Sequence, residues 1–107
     1  MMYTIVLTET AKHDLAEIFQ YIAVELRSAQ NAAAQISRLE KAIASLDQMP
    51  ERFRVYDKKK WRERNLHIMP VDHYLVFYVP EQEERAVTVM RILYAGREID
   101  RQLGNID

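Results

Sequence analysis

Ala11, Leu15, Ile18, Ile22 and Leu26 recur at spacings of three and four residues, and after a break at Arg27-Ser28 the pattern resumes with Ala32, Ile36, Leu39, Ile43 and Leu46. Each run is one apolar stripe on a helix. Two amphipathic helices in succession, of about 17 and 20 residues, must bury their stripes against something. So short a connection folds them back as an antiparallel hairpin. Thr8 and Ser28 stand where each helix begins and are the expected N-caps, because a hydroxyl there accepts from a free first-turn amide. Alanines at 29, 33, 34, 42 and 44 raise helix propensity and allow close approach of a neighbouring backbone. Pro50 is the expected stop, since it cannot continue the ladder and disfavours α geometry at Met49.

The hairpin is flanked by strand patterns. Tyr3 to Leu7 alternates and reads as a short strand. Beyond the helices, Arg64 to Met69 reads as a strand, with Pro70-Val71-Asp72 as its turn. His73 to Val79 is apolar on both faces and is expected to be a central strand covered on both sides. Pro80 to Glu84 reads as a polar hairpin loop. Ala86 to Tyr94, rich in Val, Thr and Ile, is the last strand. Arg97 to Leu103 reads as a short closing helix. The expected fold is α+β: a short N-terminal strand and a two-helix antiparallel hairpin packed on a small twisted antiparallel sheet, closed by a short C-terminal helix. With 107 residues and no linker, 1–107 reads as a single domain.

With no cysteine, disulfides, thiolate nucleophiles and Cys-based zinc sites are excluded. His13, His67 and His73 lack metal-ligand spacing, and two glycines build no phosphate cradle, so no metal or cofactor is expected. Neither a signal peptide nor a run of about 20 apolar residues is present, so no membrane partner is expected and the cytoplasm is the expected location.

A net charge of −1 hides an asymmetry. Residues 52–64 carry seven basic side chains against Asp57 and Glu63. Within them Lys58-Lys59-Lys60-Trp61-Arg62 interleaves cations with a ring, a composition suited to phosphates and stacked bases, or equally to a solvated loop with Trp61 folded onto the sheet. Three arginines are more unusual. Arg64 opens a strand, Arg91 lies inside the last strand on the face of Val87, Val89 and Leu93, and Arg97 follows its end. An arginine in such a strand needs a partner, for instance a helix carboxylate such as Glu17, or a wet groove. Adjacent strands would allow the three to converge.

Thr8-x-x-Ala11-x-x-Asp14-Leu15-x-x-Ile18-x-x-Tyr21-Ile22, then Leu46-x-x-Met49-Pro50, Arg64-x-Leu66, Tyr74-Leu75-Val76-Phe77-Tyr78-Val79 and Val89-Met90-Arg91-Ile92-Leu93-Tyr94-Ala95-Gly96-Arg97 appear in this order. The ordered set resembles the RelE/ParE toxins of bacterial type II toxin–antitoxin systems, modules of plasmid stabilisation and addiction. The resemblance implies a cytoplasmic growth inhibitor held by a cognate antitoxin that wraps it, as a homodimer or a heterotetramer with that antitoxin. Its target would be DNA gyrase, as for ParE-like members, or the ribosome and its mRNA, as for RelE-like endoribonucleases. A third reading is a non-toxic antitoxin-binding module. For the nuclease, Arg64, Arg91 and Arg97 would supply cations and Tyr94 or His67 the acid–base group. RelE-like nucleases carry a Tyr or His after the position of Arg97, and this chain has neither there; its long hairpin is also ParE-like. The expectation is therefore a gyrase-directed toxin without catalysis of its own.

Overall fold

The structure, a computed structural model, describes residues 2–96 and 99–104. The strand β1 (Thr4–Leu7) leads through Thr8 into α1 (Glu9–Gln20), and the helix continues as a π-helical turn over Tyr21–Glu25. Thr8 caps α1 by accepting from the Ala11 N–H at 3.0 Å, and Ser28 caps α2 (Ala29–Ala44) by accepting from Asn31 at 3.2 Å. Both caps stand where their sequence places them.

Pro50 does not end the second helix. α2 stops at Ala44 and tightens into a 3₁₀ turn over Ser45–Asp47, and Pro50 opens a separate 3₁₀ turn, Pro50–Arg52. Arg52 holds this end of the helix, its guanidinium donating to the carbonyls of Ser45, Gln48 and Met49 at 3.3, 2.6 and 3.2 Å. A cation collecting free carbonyls at a helix end satisfies acceptors that the ladder leaves open.

Next come α3 (Lys59–Glu63), β2 (His67–Val71), β3 (Tyr74–Glu81), β4 (Ala86–Tyr94) and α4 (Ile99–Leu103). The sheet order is β1-β4-β3-β2, antiparallel except that β1 runs parallel to β4. The hairpin covers one face. Ile18, Leu39, Ile43 and Leu46 pack there on Val76, Tyr78, Val89 and Ile92. The reverse face is covered by α3 and α4, with Trp61, Leu66, Phe77, Leu93 and Leu103 in a second cluster. Central strand β3 is thus covered on both sides, as its two-faced apolar pattern requires.

Three expectations move. Arg64 does not open a strand: it terminates α3, with its N–H donating to the Trp61 carbonyl at 3.1 Å, and β2 begins at His67. Burying Trp61 to 4% exposure favours a helical turn over extension of β2. Pro70 and Val71 belong to β2, and the turn is Asp72-His73, with Asp72 at φ 55°. Pro70 is tolerated because β2 is an edge strand. Pro80 and Glu81 likewise belong to β3, so the hairpin loop begins at Gln82.

The β3–β4 register slips at Phe77/Tyr78: Phe77 faces Arg91 while Tyr78 faces Val89, leaving Met90 as a bulge. The slip inverts the side-chain alternation of β4. Val87 and Val89 point to the hairpin, whereas Leu93 lies on the reverse face, and Arg91, opposite Phe77, runs along the free edge of β4 to reach Asp14 of α1 on one side and Gln102 of α4 on the other. The expectation that Arg91 shares a face with Val87 and Val89 is corrected by this extra residue.

Candidate functional site

β1 pairs with β4 only as far as Val89, which leaves the remainder of that β4 edge without a strand neighbour. The start of the helical hairpin closes it. The Thr8 N–H donates to the Val89 carbonyl at 3.1 Å and its hydroxyl to the Met90 carbonyl at 3.1 Å. Two turns into α1, Asp14 accepts the Ile92 N–H at 2.9 Å. The same carboxylate takes Arg91 in a two-pronged contact, Nε to Oδ2 at 2.8 Å and Nη2 to Oδ1 at 3.0 Å. Arg91 Nη1 donates to the Gln102 carbonyl of α4 at 3.0 Å. Asp14 and Arg91 are 6% and 8% exposed, so the pair is desolvated on both sides. The hydrogen bonds that the guanidinium donates to Asp14 hold its pKa above the ordinary value, against the opposing effect of burial. The partner is Asp14, not Glu17. Its signal was present in the sequence: Asp14 lies at i+3 from Ala11 and i−4 from Ile18, on the edge of the buried stripe.

Beside this pair opens a groove of about 830 Å³ between the hairpin and the ends of β3 and β4. Ile18, Tyr21, Leu26, Tyr74, Arg91 and Tyr94 are among its walls. Tyr74 and Tyr94 meet edge to face at 5.8 Å. The Tyr74 hydroxyl is pushed up in pKa by burial, with smaller contributions from Tyr94 and Tyr21. The groove's charges are mostly matched from within. Asp72 holds Arg38 at 2.7 Å and Gln35 at 2.9 Å, and the Arg38 hydrogen bond leads the lowering of its carboxyl pKa. Exposed Tyr21, Leu26 and Tyr94 make the rim aromatic and apolar. Sequence reading did not single out Tyr21 or Tyr74 as groove residues, because only the tertiary fold joins the first helix to the end of the sheet.

The basic segment lies on the other face. Trp61 packs under α3 with Lys60 Nζ at 4.7 Å and Arg64 Cζ at 5.3 Å from its ring centroid. Arg62 pairs with Asp57 at 2.9 Å and Lys58 with Asp100 at 3.8 Å. Asp100 also accepts from the Tyr56 hydroxyl at 2.8 Å, and burial followed by this contact pushes the Tyr56 pKa up to about 12. His67 is buried at the start of β2. Its Nδ1 lies 2.8 Å from the Phe53 carbonyl and its Nε2 3.2 Å from Asn65 Oδ1, so both nitrogens are engaged.

The proposed residues therefore divide. Arg91 and Tyr94 share the groove, Arg64 sits with Lys58, Lys59, Lys60, Trp61 and Arg62 on the reverse face, and Arg97 lies outside the described residues. Among the described residues no group of His, Asp or Glu is placed to hold a metal, and no helix is long and apolar enough to cross a membrane.

Residues 5–99 match the family described as the ParE toxin of the type II toxin–antitoxin system parDE. The chain belongs to that family. It is a toxin of the type II toxin–antitoxin class, with the ParE/RelE fold. No curated protein sequence matches it. Solved structures share the fold at low identity. The chromosomal ParDE system from P. aeruginosa superposes with a TM-score of 0.73 at 14% identity, covering 87% of this chain and 96% of that one. The RelBE2 toxin–antitoxin complex from Mycobacterium tuberculosis gives 0.62 at 20%, covering 88% and 99%. A double arginine-to-alanine mutant of the E. coli toxin RelE in the free state gives 0.67 at 13%, covering 95% and 93%.

Proposed function

We propose that this ParE-family toxin arrests growth by binding DNA gyrase, without a reaction of its own, and that a cognate antitoxin neutralises it in the cytoplasm. The whole chain, 1–107, acts as one domain in this reading. The observation that carries it is the state of Arg91. RNA cleavage through a 2′-hydroxyl needs cations free to meet developing phosphorane charge, together with an acid and a base nearby. Arg91 already donates to both oxygens of Asp14 and to the Gln102 carbonyl. Arg64 lies against Trp61 on the opposite face, and both His67 ring nitrogens are engaged. Tyr94 stands beside Tyr74 in the groove rather than beside a cluster of free cations.

The groove is the seat we assign to the antitoxin. An apolar and aromatic wall with its charges mostly matched suits a peptide segment bearing apolar anchors better than it suits a phosphate. A ribosome-dependent endoribonuclease is the second reading, favoured by Arg91 and Tyr94 sharing that groove. Expression without the antitoxin separates the two. Relaxed plasmid or trapped cleavage complexes with intact mRNA is the expected result. Transcripts cut at codon boundaries, with normal supercoiling, would overturn it in favour of the nuclease. Unimpaired growth would leave only an antitoxin-binding module.

A further inference from the structure

Helix α3 breaks three local rules at once. Its N-cap is Lys58, with no side-chain hydrogen bond to the free amides, and its first turn carries no acidic residue. Lys59 and Lys60 instead stand at the positive end of the helix dipole, where cations are unfavourable. Lys60 and Arg64 are like charges at i and i+4, a spacing that also costs stability. The two are nevertheless gathered onto the ring of Trp61. Around them, Arg62 and Lys58 are offset by Asp57 and Asp100. Among the described residues, Lys59, Lys60 and Arg64 form no ion pair. Local rules broken together, with the Trp61 ring but no carboxylate to offset Lys60 and Arg64, mark a surface shaped for something outside it.

We infer that Lys59, Lys60 and Arg64 form a docking ledge for the phosphodiester backbone of duplex DNA. Trp61 decides between duplex and single strand. At 4% exposure its face is taken up by the second core and by the two cations, so it offers no platform for an unstacked base. What remains is a pair of cations gathered on one ring, with exposed Lys59 one residue before them, on a protein whose net charge is −1, a grouping that reads phosphate and not sequence. The ledge lies on the sheet face opposite the hairpin, so it stands independently of the gyrase reading and leaves the groove free.

The test is binding of the full chain to a fluorescein-labelled random-sequence duplex by anisotropy, without gyrase, between 50 and 200 mM salt. Three phosphate contacts give a log–log salt slope near −2.7, an affinity loss of about 40-fold over that range. Lys60→Gln/Arg64→Gln should reduce the slope to about −0.9, a loss of about 3- to 4-fold. Lys59→Gln, at a position with no internal contact, should reduce it by about one unit and so guards against a folding defect in the double variant. Lys41→Gln on α2 should leave it unchanged. Absence of duplex binding at 50 mM, or a slope indifferent to all three ledge residues, overturns the proposal. So does equal or tighter binding of single-stranded RNA of the same length, or of poly-glutamate, which would reassign the ledge to RNA or to an acidic protein.

Discussion

Replacing Asp14 with Ala tests the central joint of the molecule. The carboxylate holds Arg91 through two hydrogen bonds and accepts the Ile92 N–H, at an edge where β1 has already ended. The substitution leaves a guanidinium at 8% exposure with only the Gln102 carbonyl, and a β4 amide with no acceptor. Breaking a buried pair by removing one partner costs about 3–5 kcal/mol, out of a total stability of about 5–15 kcal/mol for a domain. With a urea dependence of about 1.5 kcal/mol per molar, the midpoint should fall by about 2–3 M. Urea denaturation followed by Trp61 fluorescence reads this directly, since Trp61 belongs to the second cluster that α4 completes. The double variant Asp14→Ala/Arg91→Met should recover part of the loss, because no uncompensated charge then remains. The cost should also change little between low and high salt, because a desolvated pair is weakly screened. A loss below about 1 kcal/mol, or a strong salt dependence, would refute the assignment of a desolvated pair and return Arg91 to the list of available site cations.

Three further outcomes follow from the geometry. Burial pushes the pKa of Tyr56 and of Tyr78 up to about 12, above the ordinary value of 10.0, so they contribute stability that is present below pH 10 and lost as pH rises toward 12; Tyr56→Phe should shrink the alkaline loss of stability, read from thermal melts. Asp72 is displaced the other way, chiefly by its hydrogen bond from Arg38, so its contribution is present above its ordinary value of 3.8 and lost as pH falls below it, and Asp72→Asn should flatten the acid limb of a melting-temperature profile. Met49 is 75% exposed at φ 48°, a conformation that asparagine adopts more readily, and Met49→Asn should stabilise by about 0.5 kcal/mol, a rise of roughly 2–4 °C in melting temperature.

The hairpin was legible because its information is local: two stripes at helical spacing and two hydroxyl caps specify it without reference to the rest of the chain. The double-faced apolar pattern of β3 was equally plain. What sequence reading missed depends on contacts between distant residues. Arg64 was assigned to a strand because nothing within Arg62 to Leu66 announces that Trp61 will be buried from below. The β4 bulge leaves no mark in Val89-Met90-Arg91, since it arises from the pairing with Phe77 and Tyr78. For the candidate site, Arg91 is recognisable as requiring a partner and Asp14 stands on the edge of the buried stripe, but the open β4 edge that brings the two together depends on where β1 stops. The groove was invisible for the same reason: Tyr21, Tyr74 and Tyr94 belong to three separate elements.

The parallel pairing of β1 with β4 also governs when this protein can exist during synthesis. Thr4 meets Ala86 and Leu7 meets Val89, so the first strand waits for nearly the whole chain before it has a neighbour. The guanidinium tie to Asp14 and Gln102 closes later still. A nascent chain can form its helical hairpin early, but contacts of such long sequence separation form late in folding. The groove, walled by both the hairpin and the ends of β3 and β4, is therefore completed only after β4 has been made. A chain released before β4 would carry the helices and no finished groove.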